Sequence, residues 1–232
     1  LSVVEKLSQT ITFTNPGAQS YGTTPILTAT ATSGLPVTYT TSTSEVCSIS
    51  SDGKLSFASA GTCTVVADQA GDADYLAAPT VSQSFAVTPV APAAPTAVTA
   101  TAGDNQATVN FFQLNDGGAP VTSHTVTSNP GGIMATGTRS PIVVNGLTNG
   151  TAYTFTVTGT NKGGTSAPSA TTAPAVTPFY KPDVLVVSNN QWDEKGAAYQ
   201  LQMDLSKRFD VTVSTTGVPA SLDGYAQIYD VR

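Results

Sequence analysis

The stretch that decides the fold is residues 146–164, which read Gly-Leu-Thr-Asn-Gly-Thr-Ala-Tyr-Thr-Phe-Thr-Val-Thr-Gly-Thr-Asn-Lys-Gly-Gly. Its centre alternates three large apolar residues, Tyr153, Phe155 and Val157, with threonines. This two-residue period predicts a β-strand that buries one face. Asn149-Gly150 before the strand and a Gly-Gly pair after it are typical turn residues, and the second turn predicts a further edge strand beyond it.

The tyrosine at the start of this strand carries a further signal. A tyrosine that follows a turn can bury its ring and bond its hydroxyl to the backbone a few residues upstream, as in the tyrosine corner of Greek-key sandwiches. Tyr153 occupies such a position. We therefore expect Tyr153 to form a tyrosine corner.

The same stretch resembles a fibronectin type III domain, whose pattern is Leu-x-x-Gly-Thr-x-Tyr-x-Phe-x-Val-x-Ala-x-Asn-x-x-Gly. The sequence matches this pattern at Leu147, Gly150, Thr151, Tyr153, Phe155, Val157, Asn161 and Gly164. Gly159 stands where the family usually has alanine. The resemblance implies a β-sandwich over residues 94–177. It implies no particular activity, because this fold hosts many functions.

Three other features of residues 94–177 bear on function. Phe111 stands where the family typically buries a tryptophan, and His124, the only histidine, stands where it usually has a tyrosine. Because no motif pairs His124 with a nucleophile, we interpret it as a half-buried strand residue rather than a catalytic group. The loop before the last strand reads Asn-Lys-Gly-Gly over residues 161–164, so the Arg-Gly-Asp ligand motif known in the family is absent from it.

The composition favours a mainly β protein. The chain has 232 residues, enough for two or three small domains. Only 10% of the residues are charged, while 20 glycines and 15 prolines can supply many turns between short strands. A net charge of −6 with nine Lys and Arg residues argues against a nucleic-acid partner.

The sequence also bears on where the protein resides. No apolar run approaches the roughly 18–20 residues that a membrane-spanning helix needs. The chain has no signal peptide, and it begins with Leu1 rather than Met. We therefore expect a mature or excised piece of a longer, exported protein, in which residues 1–7 are a linker or the end of a preceding module.

A second β-sandwich is predicted over residues 8–89. Short alternating segments are separated by turns such as Asn15-Pro-Gly17 and Ser51-Asp-Gly53, and the turns recur about every 8–12 residues. The unit resembles a bacterial Ig-like repeat that occurs in tandem in large surface proteins. The matching residues are Gln9-Thr-Ile-Thr-Phe13, Tyr21-Gly-Thr-Thr-Pro25, Ser33-Gly-Leu-Pro-Val37, Val46-Cys47, Gly61-Thr-Cys63, Ala67-Asp-Gln-Ala-Gly71 and Tyr75.

The only two cysteines, Cys47 and Cys63, lie in predicted strands of this unit. Two thiols without a nearby histidine do not complete a metal site. A pair of reactive thiols in a cytosolic protein is one alternative, and a structural disulfide between neighbouring strands of an exported protein is the favoured one. Closing such a loop would stabilise the fold by about 3 kcal/mol on the chain-entropy model.

The acidic residues near the end of this unit and the linker after it are both interpreted as having structural rather than binding roles. Asp68, Asp72 and Asp74 could suggest a calcium loop, but they lack the spacing and terminal glutamate of an EF-hand, so we interpret them as a solvated acidic turn. We expect neither a metal nor a cofactor. Residues 90–95, Val-Ala-Pro-Ala-Ala-Pro, predict a short, stiff linker because proline restricts its own backbone and that of the preceding residue.

The pattern changes over residues 179–232. Val184-Leu-Val-Val187 predicts a strand buried on both faces, and Glu194 to Phe209 carries an apolar stripe at helical spacing. Two more strands are predicted, at Val211–Val213 and from Tyr225 onward. This β-α-β-β order resembles the beginning of a class I glutamine amidotransferase-like or flavodoxin-like domain. Because such domains need about 100–150 residues, Arg232 is not expected to be the native end of the fold.

A ligand loop is conceivable after the first of these strands. In a doubly wound sheet, ligands bind at the carboxyl ends of the strands. The residues there are polar or aromatic and could bind a polar ligand or stack on a sugar: Ser188, Asn189, Asn190, Gln191, Trp192 and Asp193. The glycine spacing of a dinucleotide site is absent, and Trp192 could equally cap the helix.

Two functions therefore compete. The first is a structural and adhesive segment of a large bacterial surface or secreted protein, acting as spacer, stalk or fibre-forming module. The second is a non-catalytic accessory region of a secreted enzyme whose α/β domain begins near residue 180. The expected partners are other domains of the same polypeptide, a second copy, or a cell-surface or carbohydrate ligand. We expect no catalytic residue in this chain.

Overall fold

A computed structural model describes residues 5–180 in full and the backbone of three strands at 183–188, 210–214 and 225–231. Residues 5–180 contain strands and turns and no helix. The described chain is therefore mainly β, as the composition predicts.

The first part of the chain forms eight strands. They are β1 (Ile11–Phe13), β2 (Gln19–Ser20), β3 (Ala29–Ala31), β4 (Thr38–Thr41), β5 (Cys47–Ile49), β6 (Leu55–Phe57), β7 (Gly61–Asp68) and β8 (Val81–Thr88). One sheet has the order β2-β8-β7-β4, while β1 pairs with β3 and β5 pairs with β6. All pairs are antiparallel except β2 with β8.

A single hydrophobic core joins these sheets. Phe13 of β1, Leu55 of β6, Val65 of β7 and Phe85 of β8 belong to one cluster of buried residues. Leu55 and Val65 are completely buried. Strands from the different sheets thus face one another across the core, which is the arrangement of a β-sandwich.

The second sandwich has seven strands. They are β9 (Thr96–Ala102), β10 (Gln106–Phe112), β11 (Ser123–Asn129), β12 (Met134–Gly137), β13 (Ile142–Asn145), β14 (Thr154–Asn161) and β15 (Gly164–Thr165). One sheet has the order β13-β10-β9 and the other has the order β12-β11-β14-β15. The strand predicted from the alternation is β14, and its buried positions recur at every second residue.

This sandwich has its own core. Val109 on β10, Val126 on β11 and Phe155 and Val157 on β14 are completely buried in one cluster. That cluster shares no residue with the core of the first sandwich. Each sandwich therefore buries its apolar side chains independently.

The edge strand predicted after β14 is present, but it is short. β15 is only two residues long, and the edge of β14 is then paired by Ser166, Ser169 and Thr172, which we call the hydroxyl ladder. Each of these residues donates its backbone N–H to a β14 carbonyl and accepts a β14 N–H on its hydroxyl oxygen. All six distances are 2.8–3.0 Å, and the partners are Gly159, Val157 and Phe155, respectively. These contacts recur every three residues, whereas residues on one side of a β-strand recur every two.

Three further strands lie beyond the two sandwiches. They are β16 (Asp183–Ser188), β17 (Asp210–Ser214) and β18 (Tyr225–Val231). They pair in parallel in the order β17-β16-β18. The helix predicted over 194–209 lies outside the described residues, so the α/β interpretation of residues 179–232 stays a prediction.

Candidate functional site

The two cysteines form a disulfide in the interior of the first sandwich. The Sγ atoms of Cys47 and Cys63 are 2.08 Å apart, and both residues are completely buried. Cys47 lies on β5 and Cys63 on β7, which belong to different sheets. The disulfide therefore joins two separate sheets, whereas the sequence suggested neighbouring strands.

Tyr153 has the geometry expected of a tyrosine corner. Its side chain is 4% exposed, and its hydroxyl accepts a hydrogen bond from the backbone N–H of Thr148 at 3.1 Å. This hydrogen bond lowers the pKa of Tyr153 below its usual value. The backbone N–H of Tyr153 donates to the carbonyl oxygen of Val176, and the N–H of Val176 donates to that of Tyr153. The corner therefore joins the start of β14 to the last residues of the second sandwich.

His124 is more deeply buried than the expected half-buried position. It is 5% exposed, and its ring centroid lies 4.7 Å from that of Phe111. Neither ring nitrogen has a hydrogen-bond partner among the residues that the structure describes. Burial lowers the pKa of His124, and the nearby backbone of Thr138 opposes this effect only in part. The imidazole thus serves as a neutral packing group in the core.

The acidic turn of the first sandwich organises its own backbone. Asp72 accepts hydrogen bonds on Oδ1 from the backbone N–H groups of Asp74 and Tyr75, at 2.8 and 2.9 Å. Asp72 and Asp74 are exposed, and Asp68 is half-buried at the end of β7. Within the described residues, no group of three or more His, Cys, Asp or Glu residues could hold a metal ion.

The most elaborate polar arrangement lies where the two sandwiches meet. Asn161, at the end of β14, is 6% exposed, and its Nδ2 donates to the carbonyl oxygens of Val90 in the linker and Asp116 in the β10–β11 loop. Its Oδ1 accepts the backbone N–H of Gly163 at 2.7 Å. One amide thus ties the linker, the β10–β11 loop and the β14–β15 turn together.

The same loop reaches the first sandwich. The backbone N–H of Ala60 donates to the carbonyl oxygen of Gly118 at 2.7 Å, and Gly118 lies against the ring of Tyr21. A cleft of about 590 Å³ opens beside this contact. Residues of both sandwiches line it, among them Val87, Pro89, Pro120 and Lys162.

Sequence reasoning did not place these groups together. It interpreted residues 161–164 only as the loop before the last strand. The adjacent glycines Gly117 and Gly118 were the available signal, because two glycines in a loop often mark a close backbone approach.

The speculative ligand loop is described only at its first residue. Ser188 ends β16, and Asn189, Asn190, Gln191, Trp192 and Asp193 lie outside the described residues. In the part of the chain that is described, no helix has the length and apolar character needed to cross a membrane.

Comparison with known proteins supports the resemblance for the second sandwich. Residues 93–174 match the fibronectin type III domain family. No curated protein matches the chain.

Several solved structures of multidomain proteins are similar in part. Domains A168–A170 of titin are 16% identical, with a TM-score of 0.40, over 74% of this chain and 66% of that one. The kinase region of twitchin from C. elegans is 28% identical, with a TM-score of 0.33, over 39% and 17%. Domains d3–d4 of the rat CD45 extracellular region are 17% identical, with a TM-score of 0.37, over 41% and 56%. The chain thus spans less than two thirds of each of these structures.

Proposed function

We propose that this chain is a structural and adhesive segment of a large bacterial cell-surface or secreted multidomain protein. Its two sandwiches would act in series as spacer, stalk or fibre-forming interaction modules. The observation that carries this proposal is the presence of two separate hydrophobic cores joined by a few residues. Modules that each bury their own core can be strung together without depending on a distant part of the chain.

The proposed module boundaries follow the same reasoning. Residues 8–89 would form the bacterial Ig-like module and residues 94–177 the fibronectin type III module, with residues 90–95 as the linker between them. Residues 1–7 would belong to a preceding module or linker, and residues 179–232 would begin a third unit.

An extracellular location fits the chemistry of the first sandwich. Disulfides persist in oxidising compartments, and here the only two cysteines of the chain are joined in a buried disulfide. The resemblance of residues 8–89 to bacterial surface repeats points to the same place. The proposed partners are neighbouring domains of the same polypeptide, a second copy of the chain, or a cell-surface or carbohydrate ligand.

Stretching single molecules of the full chain tests the spacer role. A spacer must hold its length under tension, so each sandwich should unfold in a separate force peak. About 80 residues per module give a gain in contour length of roughly 25 nm. The disulfide closes a loop of sequence separation 16, so the gain from the first sandwich should be about 5 nm shorter until a reductant is added.

The matched control is the double variant Cys47→Ala/Cys63→Ala. It should give the longer first gain without reductant and leave the second peak unchanged. Smooth extension of the unmodified chain, without two force peaks, would contradict the spacer role.

A second candidate is an accessory region of a secreted enzyme whose α/β domain begins near residue 180. The parallel pairing of β16 with β17 and β18 favours this candidate, because parallel sheets occur almost entirely in α/β folds.

Trp192 is the only tryptophan and lies in the speculative ligand loop. If this loop binds a sugar or a polar metabolite, the fluorescence of Trp192 should change as that ligand is added to the full chain. Unchanged fluorescence with a panel of both classes would count against this loop as a ligand site.

A further inference from the structure

We infer that the two sandwiches form one rigid body, locked at a joint built from the linker, the β10–β11 loop and two residues of the first sandwich. We call this arrangement the joint; it comprises residues 90–93, residues 113–118, Asn161, Tyr21 and Ala60. Domains joined by a short linker normally move relative to each other unless their interface restrains them. The contacts at the joint supply that restraint.

The linker is fixed along the second sandwich by its own backbone groups. Val90 donates its N–H to the carbonyl oxygen of Gly117 at 3.0 Å, and Ala93 donates its N–H to that of Asn115 at 3.1 Å. The carbonyl oxygen of Ala93 accepts from Nε2 of Gln113 at 2.8 Å. The polar backbone of the linker is therefore satisfied by the β10–β11 loop, and bending the linker would break these bonds.

The side chain of Asn161 restrains the linker as well. Its Nδ2 lies 2.8 Å from the carbonyl oxygen of Val90 and also donates to that of Asp116. Because Asn161 is buried, moving Val90 away would leave one N–H of the Asn161 amide without an acceptor and shielded from water. The linker is thus held both by the β10–β11 loop and by Asn161.

Tyr21 and Ala60 provide the contact with the first sandwich. Tyr21 packs against the core of that sandwich, so its ring does not move freely. A Cβ atom at Gly118 would lie only 2.5 Å from Cγ and Cδ2 of this ring, which means that the loop backbone rests directly on it. The hydrogen bond from Ala60 to Gly118 adds a second contact on the same loop.

Together these contacts restrain the modules more than the linker alone would. A single covalent link leaves bending and twisting free, whereas here the linker is bonded along the second sandwich and two residues of the first sandwich, Tyr21 and Ala60, both contact Gly118. The restraint follows from the contacts at the joint, and it holds whether or not the segment serves as a spacer.

Residual dipolar couplings of the isotope-labelled full chain measure this rigidity directly. If the sandwiches form one rigid body, one alignment tensor will fit the couplings of both. Two tensors of different magnitude or direction for the unmodified chain would overturn the inference. This outcome would leave the force measurement of the spacer role unaffected, since independent modules can still unfold one after the other.

A pair of glycine variants tests the role of the Tyr21 contact. Gly118 and Gly150 have nearly the same φ, +84° and +83°, so alanine brings the same backbone strain at both. Of the two, only Gly118 would bring the new Cβ against Tyr21, because no atom of the described residues lies within 4 Å of a Cβ at Gly150. Gly118→Ala should therefore separate the two tensors, while Gly150→Ala should lower the melting temperature of the second sandwich and keep one tensor.

Tyr21→Ala provides a variant without backbone strain. It removes the ring on which Gly118 rests and should also separate the tensors while both modules keep their dispersed spectra. A single tensor in both Tyr21→Ala and Gly118→Ala would overturn the role of this contact.

Discussion

At the scale of single residues, Tyr153 separates the contribution of ring burial from that of a hydrogen bond. Tyr153→Phe keeps the buried ring and loses only the bond from the Thr148 N–H, whereas Tyr153→Ala also leaves a cavity in the core. We expect the loss of unfolding free energy to be about three times larger for the Ala variant. Urea unfolding of the second sandwich measures both. Unchanged stability of the Phe variant would mean that the hydroxyl contributes nothing at the corner.

His124 makes a pH-dependent prediction at the same scale. Burial lowers the pKa of His124 in the folded state, while an unfolded histidine titrates near about 6.5. Between these two pKa values the unfolded chain binds more protons, so acid favours unfolding. The stability due to His124 is therefore fully present above about pH 6.5 and is lost as the pH falls toward the lower folded-state pKa.

The measurement compares melting temperatures of the unmodified chain and His124→Phe across this pH interval. The Phe variant keeps an aromatic ring against Phe111 but cannot be protonated. Its second sandwich should lose less stability on acidification than that of the unmodified chain. Parallel pH profiles would show that His124 does not stay neutral in the fold.

At the scale of elements, the hydroxyl ladder replaces an edge strand. The side chain of Ser169 accepts the buried N–H of Val157 at 2.9 Å, so Ser169→Ala leaves that N–H without a partner. An unsatisfied buried donor costs about 1–3 kcal/mol. Thr171→Ala is the matched control, because Thr171 lies on the same segment and is exposed. Equal stability of the two variants in urea unfolding would show that the ladder hydroxyls do not stabilise the edge.

The ladder also shows what could be predicted from the sequence at this scale. The alternation of Phe155 and Val157 predicts β14 because burial in a strand follows a period of two, and large apolar residues report burial directly. The ladder repeats every three residues and uses hydroxyls, so it carries no hydrophobic signal. The sequence therefore predicts the edge strand that the structure has as β15, but not the hydroxyl ladder that follows it along the edge of β14.

The joint was missed for a related reason. Its contacts involve mainly backbone N–H and carbonyl groups of the linker and the β10–β11 loop, which every sequence supplies. Asn161 was interpreted as a turn residue because two glycines, Gly163 and Gly164, follow within three positions of it. Its role depends on the position of Val90, which lies 71 residues away in the chain.

At the scale of the whole molecule, the two sandwiches should keep their stability without the region that follows them. Among residues 5–180, those that form or pack against the two cores end at Val176. Beyond them, the carbonyl oxygen of Pro178 accepts the N–H of Gly150 at 2.8 Å, and Phe179 donates its N–H to Gly103 at 3.1 Å. The second sandwich therefore uses the chain as far as Phe179.

Two truncations test this limit by differential scanning calorimetry. A chain that ends at Tyr180 keeps both of these hydrogen bonds, so both sandwiches should melt as they do in the full chain. A chain that ends at Thr177 loses both bonds, and each intramolecular hydrogen bond contributes about 0.5–1.5 kcal/mol. Only its second sandwich should then melt at a lower temperature, since neither bond involves the first. A lower melting temperature in the chain that ends at Tyr180 would show instead that residues 181–232 stabilise the sandwiches.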